Sequence, residues 1–348
     1  MATVQNRTSY WERAKEQGFD LSWLSQLEES VTGKDVDEVS RNDTGRVEGS
    51  IPRNNVPRFG AYTFRTKSEV WAHNLTKLYH EFVTRQWSSA TDIPWDTIQE
   101  LPDDVEAAQC QLATFFAQVE FVASDVPGRF ISSMSPDYHE VRLALLAQVM
   151  DESRHLDVFR KRALANGGGL MRMIDTVSDV VGGSTDNARE FTELSSRLHI
   201  TGEGNVLTLF RLGELMAYNE AEKAIYRRCA QDEARHVAIG VLHLRYMNEF
   251  APDRREEIHG YLDEGEARQA TGAGGENPAG VNTLTSEALA VLLGGGKDKV
   301  EEGQKILMAI RQRQVKEYFQ RLKSAGFDDR IHNGRVNPAL LETYQAAA

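Results

Sequence analysis

The sequence predicts an all-α protein whose central helices form a bundle. Apolar residues recur at the three- and four-residue spacing of a helix face through most of residues 66–324. Helix-starting signals, such as Ser135-Pro136 and the Asn219-to-Glu222 pair, precede several of these stretches. No segment alternates apolar and polar residues over any length, as a half-buried strand does.

The predicted elements divide the chain into an arm, a bundle and an extension. Residues 1–65 are polar and irregular and are expected to form an N-terminal arm. Residues 66–252 are expected to form the bundle, and 253–348 a C-terminal helical extension packed on it, with a loop at 270–282. Helices are predicted at about 66–87, 102–125, 135–165, 188–217, 219–250, 255–269, 284–293 and 298–324.

The composition excludes several classes of protein. A net charge of −12 argues against nucleic-acid binding, which relies on an excess of Lys and Arg. Two cysteines, Cys110 and Cys229, cannot form a disulfide framework or a Cys-rich zinc site. The chain starts without a secretory signal pattern, and its apolar runs are too short to span a membrane. A cytoplasmic location without membrane attachment is therefore expected.

One motif occurs twice. The chain has DESRH at 151–155 and DEARH at 232–236, each inside a helical apolar pattern. Glu152 and His155 are three residues apart, so both side chains leave the same helix face, and Glu233 and His236 repeat this arrangement. Each face offers one oxygen and one nitrogen ligand. Two such helices facing each other would hold two metal ions, given further carboxylates.

Two glutamates supply the missing carboxylates. Glu120 precedes Glu152 by 32 residues, and Glu203 precedes Glu233 by 30 residues. Both lie in apolar surroundings, where an unpaired carboxylate is costly. The chain therefore contains Glu…Glu-x-x-His twice, the ligand set of a carboxylate-bridged two-metal bundle. Four carboxylates balance two divalent ions, and oxygen-rich coordination favours iron or manganese.

Residues beside the motif fit a supporting role. Asp151 and Asp232 are placed to accept the free N–H of a ligand histidine, which fixes its orientation. Arg154 and Arg235 are placed to pair with these aspartates. A single Glu-x-x-His is common on solvated helix faces, so one copy would mean little. The longer motif, repeated with correctly spaced partner glutamates, makes coincidence a poor explanation.

These residues resemble the ferritin-like carboxylate-bridged diiron superfamily, and in particular its oxygen-activating branch of bacterial monooxygenase hydroxylases and ribonucleotide reductase small subunits. The resemblance covers roughly residues 70–250. It implies two iron ions, or a Mn/Fe pair, with O2 as co-substrate. It assigns Glu120, Glu152 and His155 to one ion and Glu203, Glu233 and His236 to the other, with some glutamates bridging.

Departures from the family patterns separate its branches. Phe159 stands where a reductase subunit usually has its radical tyrosine, which disfavours radical generation. Leu207 stands where monooxygenase hydroxylases usually have a threonine, and Cys229 where an N-oxygenase has an extra histidine. His199, one turn before Glu203, is either an extra ligand or proton relay, or a buried histidine bonded to a neighbour, and the second interpretation is favoured.

Small and apolar residues near the ligands predict a substrate pocket. Gly202 and Gly204 flank Glu203, and glycine inside a helix costs about 1 kcal/mol against alanine, so a local bulge, space for substrate or close packing is indicated. The predicted lining residues are Phe116, Ala117, Val119, Ala123, Gly202 and Leu207.

Three functions fit the pattern. The favoured one is an O2-dependent diiron oxygenase or oxidase that hydroxylates or N-oxygenates a small organic molecule. A radical-generating, reductase-like small subunit is the alternative, and ferroxidase or iron storage is third. The chain has no flavin or iron–sulfur motif, so a separate reductase or ferredoxin is expected as electron donor. A homodimer is also expected.

Overall fold

The computed structural model describes residues 55, 60, 62–172, 187–273 and 283–346. Most of the predicted N-terminal arm and most of the predicted loop at 270–282 lie outside these residues. The described ranges contain eleven α-helices and no β-strand. The helices are α1 (Lys67–Val70), α2 (Leu75–Thr84), α3 (Asp103–Ile131), α4 (His139–Leu164), α5 (Phe191–Leu194), α6 (Gly204–Arg211), α7 (Glu220–Phe250), α8 (Arg255–Ala273), α9 (Thr283–Gly294), α10 (Val300–Ala325) and α11 (Pro338–Ala346).

Four long elements form the bundle: α3, α4, a composite third helix, and α7. The third helix joins α5 to α6 through a π-helical segment, Ser195–Glu203, without a break. Buried apolar residues of these helices form two separate clusters. We call them the Phe130 cluster, which includes Phe130, Leu145, Leu198 and Leu244, and the Phe116 cluster, which includes Phe116, Val158, Leu209 and Cys229.

The two clusters reveal the directions of the helices. Along the chain, α3 and α7 pass from the Phe116 cluster to the Phe130 cluster, whereas α4 and the third helix pass the opposite way. Helix α4 and the third helix are therefore parallel, so the end of α4 and the start of the third helix lie at opposite ends of the bundle. A single long crossover between the second and third helices is the topology of ferritin-like bundles. The predicted fold class is confirmed.

The predicted first helix at 66–87 is interrupted, which corrects the sequence-based expectation. Trp71 has an extended backbone and Asn74 is left-handed with φ of 62°, so α1 and α2 are separate helices. The Trp71 carbonyl accepts a hydrogen bond of 2.8 Å from His243 of α7. This contact joins residues far apart in sequence. It engages a backbone carbonyl that a continuous helix would use for its own hydrogen bonds.

Helix α3 runs past its predicted end. It was expected to finish near Asp125, before Pro127-Gly128, but it continues through Pro127 to Ile131. Proline inside a helix costs about 3 kcal/mol. Val126, Pro127 and Phe130 are all buried, so packing against the Phe130 cluster offsets this cost.

The C-terminal helices pack on the bundle. Helix α9 contacts α3, α10 contacts the third helix and α7, and α11, which the sequence reading did not predict, lies against α8 and α10. Helix α8 extends to Ala273, four residues beyond its predicted end. Within the described ranges, no helix is long and apolar enough to cross a membrane.

Candidate metal centre

A layer of charged side chains separates the two apolar clusters at mid-height of the bundle. On every bundle helix, the predicted ligands lie between residues of one cluster and residues of the other. The fold therefore brings all six together, and none is more than 4% exposed. Ligand atoms lie within 4.8 Å of one another in two overlapping sets: Glu120, Glu152, His155 and Glu233, and Glu152, Glu203, Glu233 and His236.

Glu152 and Glu233 belong to both sets and lie between the two histidines. The Nδ1 atom of His155 is 3.2 Å from Glu152 Oε2 and 3.2 Å from Glu233 Oε1. The Nδ1 atom of His236 is 3.0 Å from Glu152 Oε1 and 3.4 Å from Glu233 Oε2. Each carboxylate thus presents one oxygen to each histidine. This is the geometry expected of two bridging carboxylates, with Glu120 and Glu203 placed as terminal ligands.

Unsatisfied polar atoms in this layer test whether metal ions fit. Buried atoms without a hydrogen-bond partner include Glu120 Oε1, Glu152 Oε1, Glu203 Oε2, Glu233 Oε2 and both ring nitrogens of His236. Leaving a buried polar atom unpaired costs about 1–3 kcal/mol, and more for charged groups. Metal ions coordinated by these oxygens and by the histidine Nδ1 atoms would remove most of that cost. The residues fit a dinuclear metal site.

The protonation states of the metal-free site point the same way. Burial, followed by the charge of Glu152, raises the pKa of Glu120 well above its usual range. Burial likewise raises the pKa of Glu203. Although burial opposes it, the Glu152 carboxylate raises the pKa of His236 well above its usual value. Without metal the cluster therefore retains protons where divalent cations would neutralise it.

Asp232 supports His155 from the outer side of the site. Its Oδ2 accepts from His155 Nε2 at 3.1 Å and from Trp87 Nε1 at 2.7 Å. Arg154 donates to the same oxygen at 3.1 Å, and Arg235 pairs with the other oxygen. The Nε2 bond fixes the ring of His155 with Nδ1 towards the carboxylates, as a metal ligand requires.

Asp151 has the matching position beside His236. Its Oδ2 is 3.5 Å from His236 Nε2 and accepts from Arg235 at 3.0 Å, while Arg154 and Gln86 bind its Oδ1. Each motif's aspartate therefore faces the histidine of the other motif, and each arginine contacts both aspartates. This crossed arrangement ties α4 to α7 directly behind the histidines.

His199 does not reach the metal layer directly. Its Nε2 lies 3.2 Å from Gln148 Oε1, and Gln148 Nε2 donates to Glu203 Oε1 at 2.7 Å. Its Nδ1 is 3.2 Å from the hydroxyl of Ser195. Burial lowers the pKa of His199 to about 3, so the ring is neutral. His199 thus orients Gln148, and Gln148 orients Glu203.

The sequence-based prediction does not include Gln148, although this residue lies one turn before Glu152 on the ligand face of α4. It is fully buried. A buried amide at that spacing is the signal that could have identified it.

The π-helical segment ends at Glu203. A local bulge is one of the predicted explanations for the glycines that flank this residue. Arg321 of α10 donates to the carbonyls of Ile200 at 2.8 Å and Gly204 at 3.1 Å. A Cβ on Gly204 would lie only 2.3 Å from the Arg321 guanidinium carbon, so any larger residue there would displace the guanidinium from these carbonyls. Gly202 has no such close neighbour.

The predicted pocket residues are not grouped around one space. Val119 belongs to the Phe116 cluster and Ala123 to the Phe130 cluster, so they fill the apolar layers on opposite sides of the metal layer. Ala117 packs against the Phe116 cluster, Leu207 is buried and Gly202 is half-buried. Of the six, Phe116 lines a cavity of about 270 Å³ described below.

Comparisons with known proteins add little. No family model matches the sequence, and no curated protein matches it significantly. Among solved structures, one similar chain is a mutant R2-like ligand-binding oxidase with an aerobically reconstituted Mn/Fe cofactor. That chain is 18% identical, with a TM-score of 0.47 over 73% of this chain and 94% of the other. Similarity at this level does not establish function, which must be inferred from the site itself.

Proposed function

We propose that this protein is an O2-dependent oxidoreductase with a carboxylate-bridged dinuclear centre, either diiron or Mn/Fe, that hydroxylates or N-oxygenates a small organic substrate. One observation carries the proposal: the two sets of buried ligand atoms share Glu152 and Glu233. A single-ion site has no need of a second set, and a structural ion has no need of so many anionic ligands. Reduced metal ions held by these residues would supply the electrons for O2 activation.

The chain's own residues would tune such a centre. Glu120 and Glu203 would bind one ion each, while Glu152 and Glu233 would bridge. The carboxylates of Asp151 and Asp232 hold negative charge behind the histidines. Because Arg154 and Arg235 neutralise these aspartates, the anionic charge that favours the oxidised state of a metal pair would come from the four glutamates. The surrounding apolar clusters limit access of water to the layer.

Radical generation and iron storage are less well supported. Phe159, one turn beyond His155, lies in an aromatic group with Phe116 and Phe210, at centroid distances of 4.8 and 5.5 Å. A phenylalanine at this place cannot store a tyrosyl radical. Within the described ranges, four C-terminal helices pack on the bundle, an extension that iron storage does not need. A separate reductase or ferredoxin remains our proposed electron donor.

Metal loading followed by O2 exposure tests the proposal. We expect about two iron ions per chain, because two ligand sets are present, and O2 uptake after reduction. Substitution Glu233→Gln removes a bridging charge and should lower both metal content and O2 uptake at least tenfold. Glu249→Gln, at an exposed position of the same helix, is the control and should behave as the unaltered protein.

Isotope labelling separates oxygenase from oxidase activity. Label from ¹⁸O2 found in a product, by mass spectrometry during substrate screening, would support oxygenation. Protein that binds no iron after anaerobic loading, or that binds two ions and takes up no O2, would contradict the proposal.

A further inference from the structure

A cavity opens between the bundle and the C-terminal helices. Its volume is about 270 Å³, and side chains of α3, α6, α8, α9 and α10 line it. Much of the wall is apolar, with Phe116, Leu209, Leu289 and Ile310 among its members. Cavities that bind small molecules are mostly apolar, with a few placed polar groups, and this volume lies just below their usual range of about 300–1,000 Å³.

This wall contains a cation, Arg311, that has no counterion among the described residues. Arg311 is only partly exposed, and its one hydrogen bond goes to the hydroxyl of Ser286 at 3.0 Å. No described carboxylate lies within 4.0 Å of its guanidinium, whereas the buried Arg162 pairs with both Glu106 and Glu222. Burial lowers the pKa of Arg311, which reflects a cation removed from water without compensation.

Two further polar groups of the wall have no partner. Thr285 is 7% exposed, and its hydroxyl makes no hydrogen bond with any described residue. The amide N–H of Gln269 donates to Asn205 Oδ1 at 3.3 Å. Its buried Oε1 accepts no hydrogen bond within the described part of the chain. The cavity therefore offers a guanidinium, a free hydroxyl and a free carbonyl oxygen. Buried polar groups are normally paired, so two unpaired oxygens in one wall, together with a guanidinium that lacks a described counterion, indicate a ligand.

We propose that this cavity binds a small organic acid with an apolar body and a second polar end. The carboxylate pairs with Arg311 and accepts from Thr285, the body lies against the aliphatic and aromatic wall, and an O–H or N–H donor reaches Gln269. Arginine suits a carboxylate because its planar fork donates two parallel hydrogen bonds.

Position along the helices connects this cavity with the dinuclear layer. Phe116 is four residues before Glu120 on α3, about 6 Å along the helix axis, and on the same face. Asn205 and Val206, also in the wall, follow Glu203 directly after Gly204. This step alone rests on the proposed function. If the protein carries out the proposed oxidation, the acid bound here is its substrate.

Binding of matched probes to metal-free protein tests the site without any oxidation chemistry. The probes are 4-hydroxyphenylacetate, its neutral amide, and phenylacetate, measured by isothermal titration calorimetry. We expect the acid to bind at least about tenfold more tightly than the amide, since a charge-assisted pair is lost. Phenylacetate, which lacks the donor for Gln269, should bind about fivefold more weakly than the hydroxylated acid.

Two arginine variants of α10 form the matched pair. Arg311→Met should abolish the preference for acid over amide. Arg313→Met removes an exposed arginine of the same helix that pairs with Glu317, and should retain the preference. Thr285→Val should weaken binding of the acid, and circular dichroism verifies folding of each variant.

Each outcome decides a separate question. Equal binding of acid and amide, an unchanged preference in Arg311→Met, or no binding at millimolar concentration would overturn the cavity proposal even if the protein takes up O2. Acid binding that depends on Arg311, in a protein that never activates O2, would keep the binding site and reject the oxidation.

Discussion

At the scale of single residues, the immediate neighbours decide the charge of the four fully buried histidines, His155, His199, His236 and His243. His155 and His236 face glutamates and aspartates, and their pKa values rise although burial opposes protonation. His199 and His243 face neutral partners, and burial lowers their pKa values to about 3 and about 4. The same side chain at the same depth therefore serves as a charged partner in one place and a neutral hydrogen-bonding group in another.

His243 predicts a pH dependence of stability. Its Nδ1 donates to the Trp71 carbonyl, and its Nε2 bonds with the Thr192 hydroxyl at 2.9 Å. The folded pKa of about 4 lies below the usual 6.5, so the unfolded chain takes up the proton first as pH falls. The stability from neutral His243 is full above pH 6.5 and declines towards pH 4. Between pH 7 and 5 we expect a loss of about 2 kcal/mol.

The variant His243→Asn removes this titration. Urea unfolding at several pH values should therefore give a free energy of unfolding that changes less between pH 7 and 5 than in the unaltered protein. Parallel curves for the two proteins would show that His243 is protonated in the folded state or does not contribute.

At the scale of elements, the third helix is held from outside the bundle. A π-helical turn leaves carbonyls without their usual partners, and such turns often occur at functional sites. Here Arg321 of α10 donates to two carbonyls at the end of this segment, those of Ile200 and Gly204, and Thr208 adds a bond of 3.2 Å to the Gly204 carbonyl. The backbone that carries Glu203 thus depends on a helix far away in sequence.

Arg321 therefore predicts a coupling between α10 and the metal centre. Arg321→Met removes charged hydrogen bonds to two buried carbonyls, of which the Gly204 carbonyl keeps its bond from Thr208, and this should cost about 3 kcal/mol of unfolding free energy. It should also loosen Glu203, so that the ion bound by Glu203 is lost first and iron content falls from about two towards one per chain. Mössbauer spectroscopy and metal analysis would measure this.

The control for this experiment is Lys323→Met, an exposed position on the same helix. It should leave iron content and stability unchanged. Full iron content in Arg321→Met would show that α10 does not position Glu203.

At the scale of the whole molecule, the bundle is two apolar clusters joined across a charged layer. Six buried ligands and two buried aspartates occupy mid-height, where an ordinary bundle has apolar side chains. The two Asp–Arg pairs connect α4 to α7 there. The cohesion of the two halves of the core depends on how this layer is neutralised.

Metal removal should therefore destabilise the entire protein. An ion that binds only the folded state at 100 times its Kd adds about 2.7 kcal/mol, so two ions add about 5 kcal/mol. We expect chelation to lower the midpoint of thermal unfolding by several degrees, as measured by calorimetry. Glu233→Gln should respond far less to the chelator. An unaltered midpoint after verified metal removal would argue against a metal in this layer.

The sequence by itself determined the helical class and the six candidate ligands. The helical class and four of the ligands follow from spacing along a single helix: Glu152 and His155, like Glu233 and His236, are three residues apart and so share a face whatever surrounds the helix. Glu120 and Glu203 follow from their matching intervals to the two motifs and from their apolar surroundings. The apolar periodicity of the bundle helices is equally local, so most of their bounds could be predicted to within a few residues.

Tertiary structure decided what depends on contacts between distant residues. Helices α1 and α2 separate because His243 binds the Trp71 carbonyl, and α3 continues through Pro127 because its last turns are buried. The crossed pairing of each aspartate with the other motif's histidine and the Arg311 cavity arise only when helices pack side by side. The spacing of residues along one helix specifies which side chains share a face, but not which face of another helix packs against it.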